Sequence, residues 1–339
     1  MGQRKQNDER IPQARGQVVK SLEISLGLFQ IQVPLPNSPL RYLNSYVITE
    51  GERNLLVDTG WNREECYEAL TAGLCELDVD LEKTDFFITH RHADHLGLVS
   101  RIARTKSRVF LSEIEAEFVR RWNGLELPYA TKHGFPQQLV GPLQEHHPAA
   151  KLSHDRTIEM IPLKDGDTLT YGNYHFRCVE TPGHSQGHMC LYEPQTRFLL
   201  SGDHLLVDIT PNIQNWDDSE NPLKQYLASL NKIHPLEVDL VLPGHRRVFQ
   251  DHRQRIQELI SHHERRLAEV LHVVTEEPLS AYETASRMTW EIEAEDWEEF
   301  PVLQKWFAAG EALSHLRYLE EEGAVRRAAS SGIVKFCGR

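Results

Sequence analysis

With 339 residues, 40% of them hydrophobic and 26% charged, the chain is long enough for one large core plus an appendage, and no apolar run approaches the ~18 residues of a membrane span. A formal net charge of −13 repels polyanions, so a nucleic-acid partner would need a local basic patch strong enough to overcome the global field. The five cysteines are odd in number and contain no C-x-x-C pair, which argues against a disulfide framework and thiolate metal sites and fits a reducing cytoplasm.

Residues 1–20 are polar and lack the apolar stretch and small-residue cleavage site of a secretory signal, so they read as a polar leader. Tyr46–Thr49 and Asn54–Val57 are β-rich runs around a glycine turn, predicting a hairpin that ends at Asp58-Thr59-Gly60. Arg63–Leu77 has helical spacing, Phe86–Thr89 is a short buried strand, and Leu96–Ala103 predicts one further helix. Residues 112–157 hold one helix-like piece and then Pro128, Pro136, Pro142 and Pro148, the texture of an insertion or lid over a site. Strands are predicted at Thr168–Tyr171, His175–Glu180, Met189–Tyr192, Phe198–Leu200 and, after a helix over Leu223–Ile233, at Val238–Leu242. So many short strands among helices predict two packed sheets with helices outside, over residues 21–250. From residue 251 to 339 the order becomes helix, helix, helix, hairpin, and Leu303, Trp306, Phe307, Gly310, Leu313 and Leu316 predict one apolar face on the third helix.

The chemistry concentrates in Thr89-His90-Arg91-His92-Ala93-Asp94-His95, directly after a predicted buried strand. In an extended segment residues i and i+2 point the same way, so His90 and His92 are placed to grip one ion, while Asp94 and His95, where the chain turns into a helix, face a second. Two ions need more donors. They follow at three strand ends, in Thr181-Pro182-Gly183-His184, Ser201-Gly202-Asp203 and Pro243-Gly244-His245.

With these residues the chain resembles the metallo-β-lactamase superfamily across residues 43–250, through H-x-H-x-D-H, a later His, an Asp and a last His. The resemblance implies a four-layer αββα sandwich. It implies that His90, His92 and His184 bind a first metal, that Asp94, His95 and His245 bind a second, and that Asp203 bridges them, with Asp94 and Asp203 as the catalytic carboxylates. Val57-Asp58-Thr59-Gly60 resembles the superfamily's early motif, in which the Asp supports the ligands from behind. Residues 251–339 resemble the winged-helix appendage of some members.

Two divalent ions sharing a water would lower its pKa and present hydroxide to a carbonyl or a phosphorus. Nitrogen and oxygen ligands suit zinc, with iron or manganese as alternatives. His188 and His204 are candidate supporting groups, and Arg91, Arg246 and Arg247 are candidates to ring the mouth and hold an anionic group of a small-molecule substrate. The expectation is therefore a dinuclear metal hydrolase of a small or medium ester, thioester or lactone. A phosphodiesterase or endoribonuclease acting on single-stranded RNA is the alternative, followed by a diiron redox protein. The many acidic residues around the third C-terminal helix oppose nucleic acid there and favour a scaffold or homodimer contact.

Overall fold

The structure, a computed structural model, describes residues 21–121, 125, 127–151, 159–215, 217–292, 294–330 and 332–339, so the expected leader lies outside the described residues. The first sheet takes its seven strands in chain order: β1 (Leu22–Ser25), β2 (Leu28–Pro34), β3 (Tyr42–Ile48), β4 (Asn54–Val57), β5 (Thr84–Phe87), β6 (Val109–Ser112) and β7 (Met160–Leu163). Pairing is antiparallel up to β4 and parallel from there to β7. The second sheet holds β8 (Thr168–Tyr171), β9 (Tyr174–Glu180), β10 (Met189–Glu193), β11 (Phe198–Gly202) and β12 (Leu240–Pro243), antiparallel except for the β11–β12 pair.

Successive strand residues point to opposite faces, and this sorts the sequence into layers. In the first sheet Val47, Leu56, Phe86, Val109 and Leu111 face outward onto helix α1 (Glu64–Glu76) and the short helices α2 (Ala93–Leu96) and α3 (Val99–Ile102). Their neighbours Tyr46, Ile48, Leu55, Val57, Phe87 and Phe110 face inward, against Phe176, Met189, Leu191, Leu200 and Leu242 of the second sheet. From the second sheet Cys190, Tyr192, Leu199 and Val241 then face out onto α8 (Pro222–Ile233). This is the expected four-layer sandwich.

The single helix expected over Leu96–Ala103 is broken into α2 and α3. Leu98 N–H donates to Gly60 O (3.1 Å) and to Thr59 Oγ1 (3.2 Å), partners outside the helix that displace its i−4 bond. The segment expected as an insertion forms α4 (Glu113–Arg121), α5 (Leu127–Lys132), α6 (Val140–His146) and α7 (Pro148–Lys151).

The C-terminal region contains α9 (His252–Glu276), α10 (Ala281–Ala285), α11 (Val302–Glu321) and the hairpin β13 (Val325–Ser330) and β14 (Ile333–Gly338), the order read from the sequence. Helix α9 links the two cores: Ile256 and Leu259 pack under the second sheet, whereas Val270 and Val274 join the C-terminal core. That core also takes in Ala130, Phe135 and Leu143 of the insertion. Helix α11 departs from the single apolar face expected of it. Ala308, Ala309 and Ala312 are buried as well as Trp306, Leu313 and Leu316, because small side chains let α6, α8, α9 and α10 approach it from several sides.

Candidate metal centre

All seven expected ligands lie past the ends of β5, β9, β11 and β12, five of them in loops and Asp94 and His95 in α2, and the fold brings them together. Ring nitrogens of three histidines converge at the first position: His90 Nε2 lies 2.9 Å and His184 Nε2 3.0 Å from His92 Nδ1. At the second, His245 Nε2 lies 3.3 Å and His95 Nε2 3.9 Å from Asp94 Oδ2. Asp203 stands between them. Its Oδ2 is 3.4 Å from His184 Nε2, and its Oδ1 is 3.5 Å from both His95 Nε2 and His245 Nε2.

Hydrogen bonds on the far side of four of the five rings decide which nitrogen carries a lone pair. His184 Nδ1–H donates to Asn212 O (2.9 Å) and His245 Nδ1–H to Tyr42 O (2.8 Å). Asp58 governs one histidine of each group. Its Oδ2 accepts from His95 Nδ1–H (2.7 Å) and from the Thr89 hydroxyl (2.8 Å), and that hydroxyl in turn accepts from His90 Nδ1–H (3.1 Å). Asp58 Oδ1 accepts from Thr89 N–H (2.9 Å), which ties the start of the motif to the end of β4.

The donor set fits two cations. His95 Nε2, His245 Nε2 and Asp203 Oδ1 are buried without a hydrogen-bond partner, a costly state for polar atoms unless an ion shares them. Burial together with the neighbouring rings holds the His90 and His92 imidazoles well below the usual histidine range, as neutral ligands. For His245 burial acts in the same direction, but the Asp203 and Asp94 carboxylates outweigh it and raise its pKa to about 10. The first group is thus three imidazoles and the second is rich in carboxylate.

Two glycines make this proximity possible. Gly183, before His184, has φ +144°, and a Cβ there would meet Tyr226 Cβ of α8 at 2.4 Å. At Gly244, before His245, a Cβ would lie 2.8 Å from Asp203 Oδ1.

The candidate supporting residues divide. His188 is buried, pairs through Nδ1 with Thr181 Oγ1 (2.8 Å) and accepts the Asp203 N–H at Nε2 (3.1 Å), so it fixes the backbone of the shared carboxylate. The His204 ring instead packs edge-on to Tyr226 at 5.3 Å, and its backbone joins the local network, the carbonyl accepting from the Tyr226 hydroxyl (3.0 Å) and the N–H donating to Ser201 O (3.0 Å).

The expected ring of three arginines is not formed. Arg91 does line the cavity beside His92, but its guanidinium is paired with buried Glu115 (2.8 Å) and stacked on Phe118 (3.9 Å). Arg246 donates to Pro39 O (2.9 Å), and Arg247 pairs with Asp208 (3.2 Å); neither lines that cavity. The reason is local competition: each cation meets a nearby acceptor before it can face the mouth.

Sequence reasoning does not single out Glu115, yet it braces both loops of the first group. It accepts from Arg91 N–H (3.2 Å) between His90 and His92, and from Gly187 N–H (2.9 Å) just past His184. Asn212 is missed too, because it acts through a backbone carbonyl that leaves no residue-type signature. Likewise Asn44 Nδ2 donates to Pro243 O (3.0 Å) and Arg246 O (2.7 Å), clamping the His245 loop onto β3.

The family described as Metallo-beta-lactamase superfamily matches residues 39–245. The chain belongs to this superfamily. A second family, described as Metallo-beta-lactamase-like, C-terminal domain, matches residues 267–339. As a superfamily member the chain is a metal-dependent hydrolase, and its clusters are those of a dinuclear metal centre. It is similar to a metallo-beta-lactamase family protein from Thermus thermophilus, at 31% identity and a TM-score of 0.80 over 94% of this chain and 100% of that one. It is also similar to a beta-lactamase domain protein from Burkholderia ambifaria, at 25% identity and a TM-score of 0.83 over 98% and 97%. By sequence it is 24% identical to the probable metallo-hydrolase YqjP of Bacillus subtilis (strain 168), over 82% of this chain and 88% of that protein. It is 26% identical to an atrochrysone carboxyl ACP thioesterase of Aspergillus fumigatus, over 68% of this chain and 59% of the thioesterase. Among the described residues no helix is long and apolar enough to cross a membrane.

Proposed function

We propose that the chain hydrolyses the thioester or ester bond of a small to medium acyl substrate at a pair of divalent ions, with zinc the metal that the nitrogen and oxygen ligands suit best. The observation that carries this reading is a cavity of about 480 Å³ that runs up to His92 and His184 and is walled by Phe118, Val119, Leu125, Tyr129 and Trp306. A concave, mainly apolar wall beside a reactive centre suits an acyl chain whose carbonyl lies against the ligand groups. Among the described residues the cavity wall holds a single arginine or lysine, Arg91, already neutralised by Glu115. That is poor provision for the phosphates of RNA, which agrees with the net charge of −13.

His90, His92 and His184 would hold one ion, Asp94, His95 and His245 the other, and Asp203 both. When bound, two such ions supply Lewis-acid polarisation of a carbonyl and hydroxide near neutral pH. The chain's own residues contribute orientation. Asp58, Asn212 and Tyr42 fix the imidazole tautomers, and the insertion and α11 exclude water from the acyl side. The relative named as a thioesterase supports the choice of bond.

The test is a panel of uncharged acyl thioesters of graded chain length, with an RNA oligonucleotide alongside. Chelator-sensitive thioester turnover is expected, and Trp306→Phe, which enlarges the cavity, should shift the preference towards longer chains. RNA cleavage without thioester or ester turnover would overturn the reading.

A further inference from the structure

The segment between β11 and α8 passes directly behind the first histidine group and has no helix or strand among its described residues, so its position must be imposed from outside. Arg255 of α9 fixes its first half, donating to Leu206 O (2.7 Å) and Ile209 O (2.8 Å), and next to the histidines two further contacts come from adjacent residues of α11. Asn215 N–H donates to Gly310 O (3.1 Å), and Asn212 Nδ2 donates to Glu311 Oε2 (3.1 Å). The carbonyl of that same Asn212 receives the Nδ1–H of His184 at 2.9 Å.

Glu311 is itself held in place. Its Oε1 faces Arg266 Nε at 3.6 Å, and the Arg266 guanidinium is fixed by Glu269 (2.7 Å), by Thr289 O (2.7 Å) and by stacking on Trp290 at 4.3 Å. The Glu311 side chain is only 12% exposed. A carboxylate buried against one cation at this distance generally costs stability compared with a well-packed apolar residue. Helix packing alone gives no reason to keep it. The hydrogen bond to Asn212 does, because a residue that orients a metal-binding histidine from behind governs how well that histidine binds.

We propose that Glu311 is a positioning residue of the metal centre: through Asn212 it holds His184 in register, so that the C-terminal domain sets the affinity of the first metal position. This goes beyond the substrate reading and does not depend on it.

The experiment uses the full chain, stripped of metal and titrated with Zn²⁺ in competition with a chromophoric chelator. Glu311→Ala should weaken one of the two equivalents by about tenfold, the lower end of what loss of a group behind a ligand produces, and leave the other near its original affinity. Glu311→Gln keeps an acceptor for Asn212 and should stay within about threefold of the parent. Asn212→Ala retains the carbonyl that receives His184 but cuts the link to α11, so it should reproduce Glu311→Ala. Because both substitutions break one connection, the double variant should be no weaker than either single one. Unchanged affinity in Glu311→Ala overturns the proposal, as do multiplying effects in the double variant or a Glu311→Gln as weak as Glu311→Ala. Should Glu311→Ala fail to fold, Asn212→Ala decides alone, and parental affinity in it is equally fatal.

Discussion

Substituting Asp58 with Asn keeps the size of a buried side chain but replaces one carboxylate oxygen with an amide that donates. Oδ1 can still accept from Thr89 N–H, now at 2.9 Å. At Oδ2 the two present donors, His95 Nδ1–H at 2.7 Å and the Thr89 hydroxyl at 2.8 Å, would face N–H groups instead. The hydroxyl can turn round and accept. The imidazole cannot, unless its proton moves to Nε2, the atom that points at Asp94 and Asp203. A protonated Nε2 has no lone pair for a metal, so the position formed by Asp94, His95 and His245 should lose about 10- to 100-fold in affinity, or about 1.4 to 2.7 kcal/mol. His90, reached only through the Thr89 hydroxyl, should suffer less, and the two equivalents should separate in a chelator-competition titration with Zn²⁺. If both ions bind Asp58→Asn with the parental affinity, the tautomer argument is wrong.

Glu115→Ala would leave the Arg91 guanidinium and the Gly187 N–H without their acceptor in a largely buried setting, and should cost about 3 kcal/mol in denaturant unfolding. A loss under about 1 kcal/mol would mean that water or another side chain replaces the carboxylate without difficulty. Asp85 offers a pH test away from the metal centre. Burial alone raises its pKa, but Arg53, Arg108 and the Tyr171 hydroxyl outweigh this and bring it to about 2 from a usual 3.8. Since the folded value is the lower one, the stabilisation of about 2 kcal/mol is complete above the usual value and disappears as pH falls towards 2. The stability gap between the parent and Asp85→Asn should therefore narrow over that interval, and a gap that is constant down to pH 2 would contradict the assignment.

The seven candidate ligands are legible in the sequence because their chemistry is local. H-x-H-x-D-H fits one turn out of a strand, and each later donor follows a β-rich run. Asp58 is legible only through the resemblance of Val57-Asp58-Thr59-Gly60 to the superfamily's early motif. Arg91 misleads by the same logic, since its place inside the motif suggests a free cation while the carboxylate that neutralises it is 24 residues away. Glu115 looks like an ordinary acid in the first turn of a helix, and only the docking of α4 against two loops makes it a brace. Strands β1, β2, β6 and β7 are not among the expected elements. Leu28–Pro34 does alternate, but β6 and β7 flank the insertion, and β7 belongs to the sheet only because Val109–Ser112 lies beside it. The burial of α11 around most of its circumference depends on helices contributed by three separate parts of the chain, which no periodicity within the helix can reveal.

The clamp of β3 on the loop carrying His245 has a consequence for the life of the chain at the ribosome. Tyr42 O receives the His245 Nδ1–H across 203 positions of sequence, and Asn44 and Tyr46 reach Pro243 across 199 and 197. At roughly 5 to 20 residues per second, about 10 to 40 s separate the synthesis of the two halves of this contact. Throughout that interval β3 has its hairpin partners but lacks the strand end it must grasp, and closing so long a loop is entropically late in any folding order. The second ion therefore cannot act as a nucleus for folding, as zinc does in small finger domains. It arrives at a nearly finished structure, so a nascent chain arrested short of residue 245 holds His90, His92 and His184 without a complete second position.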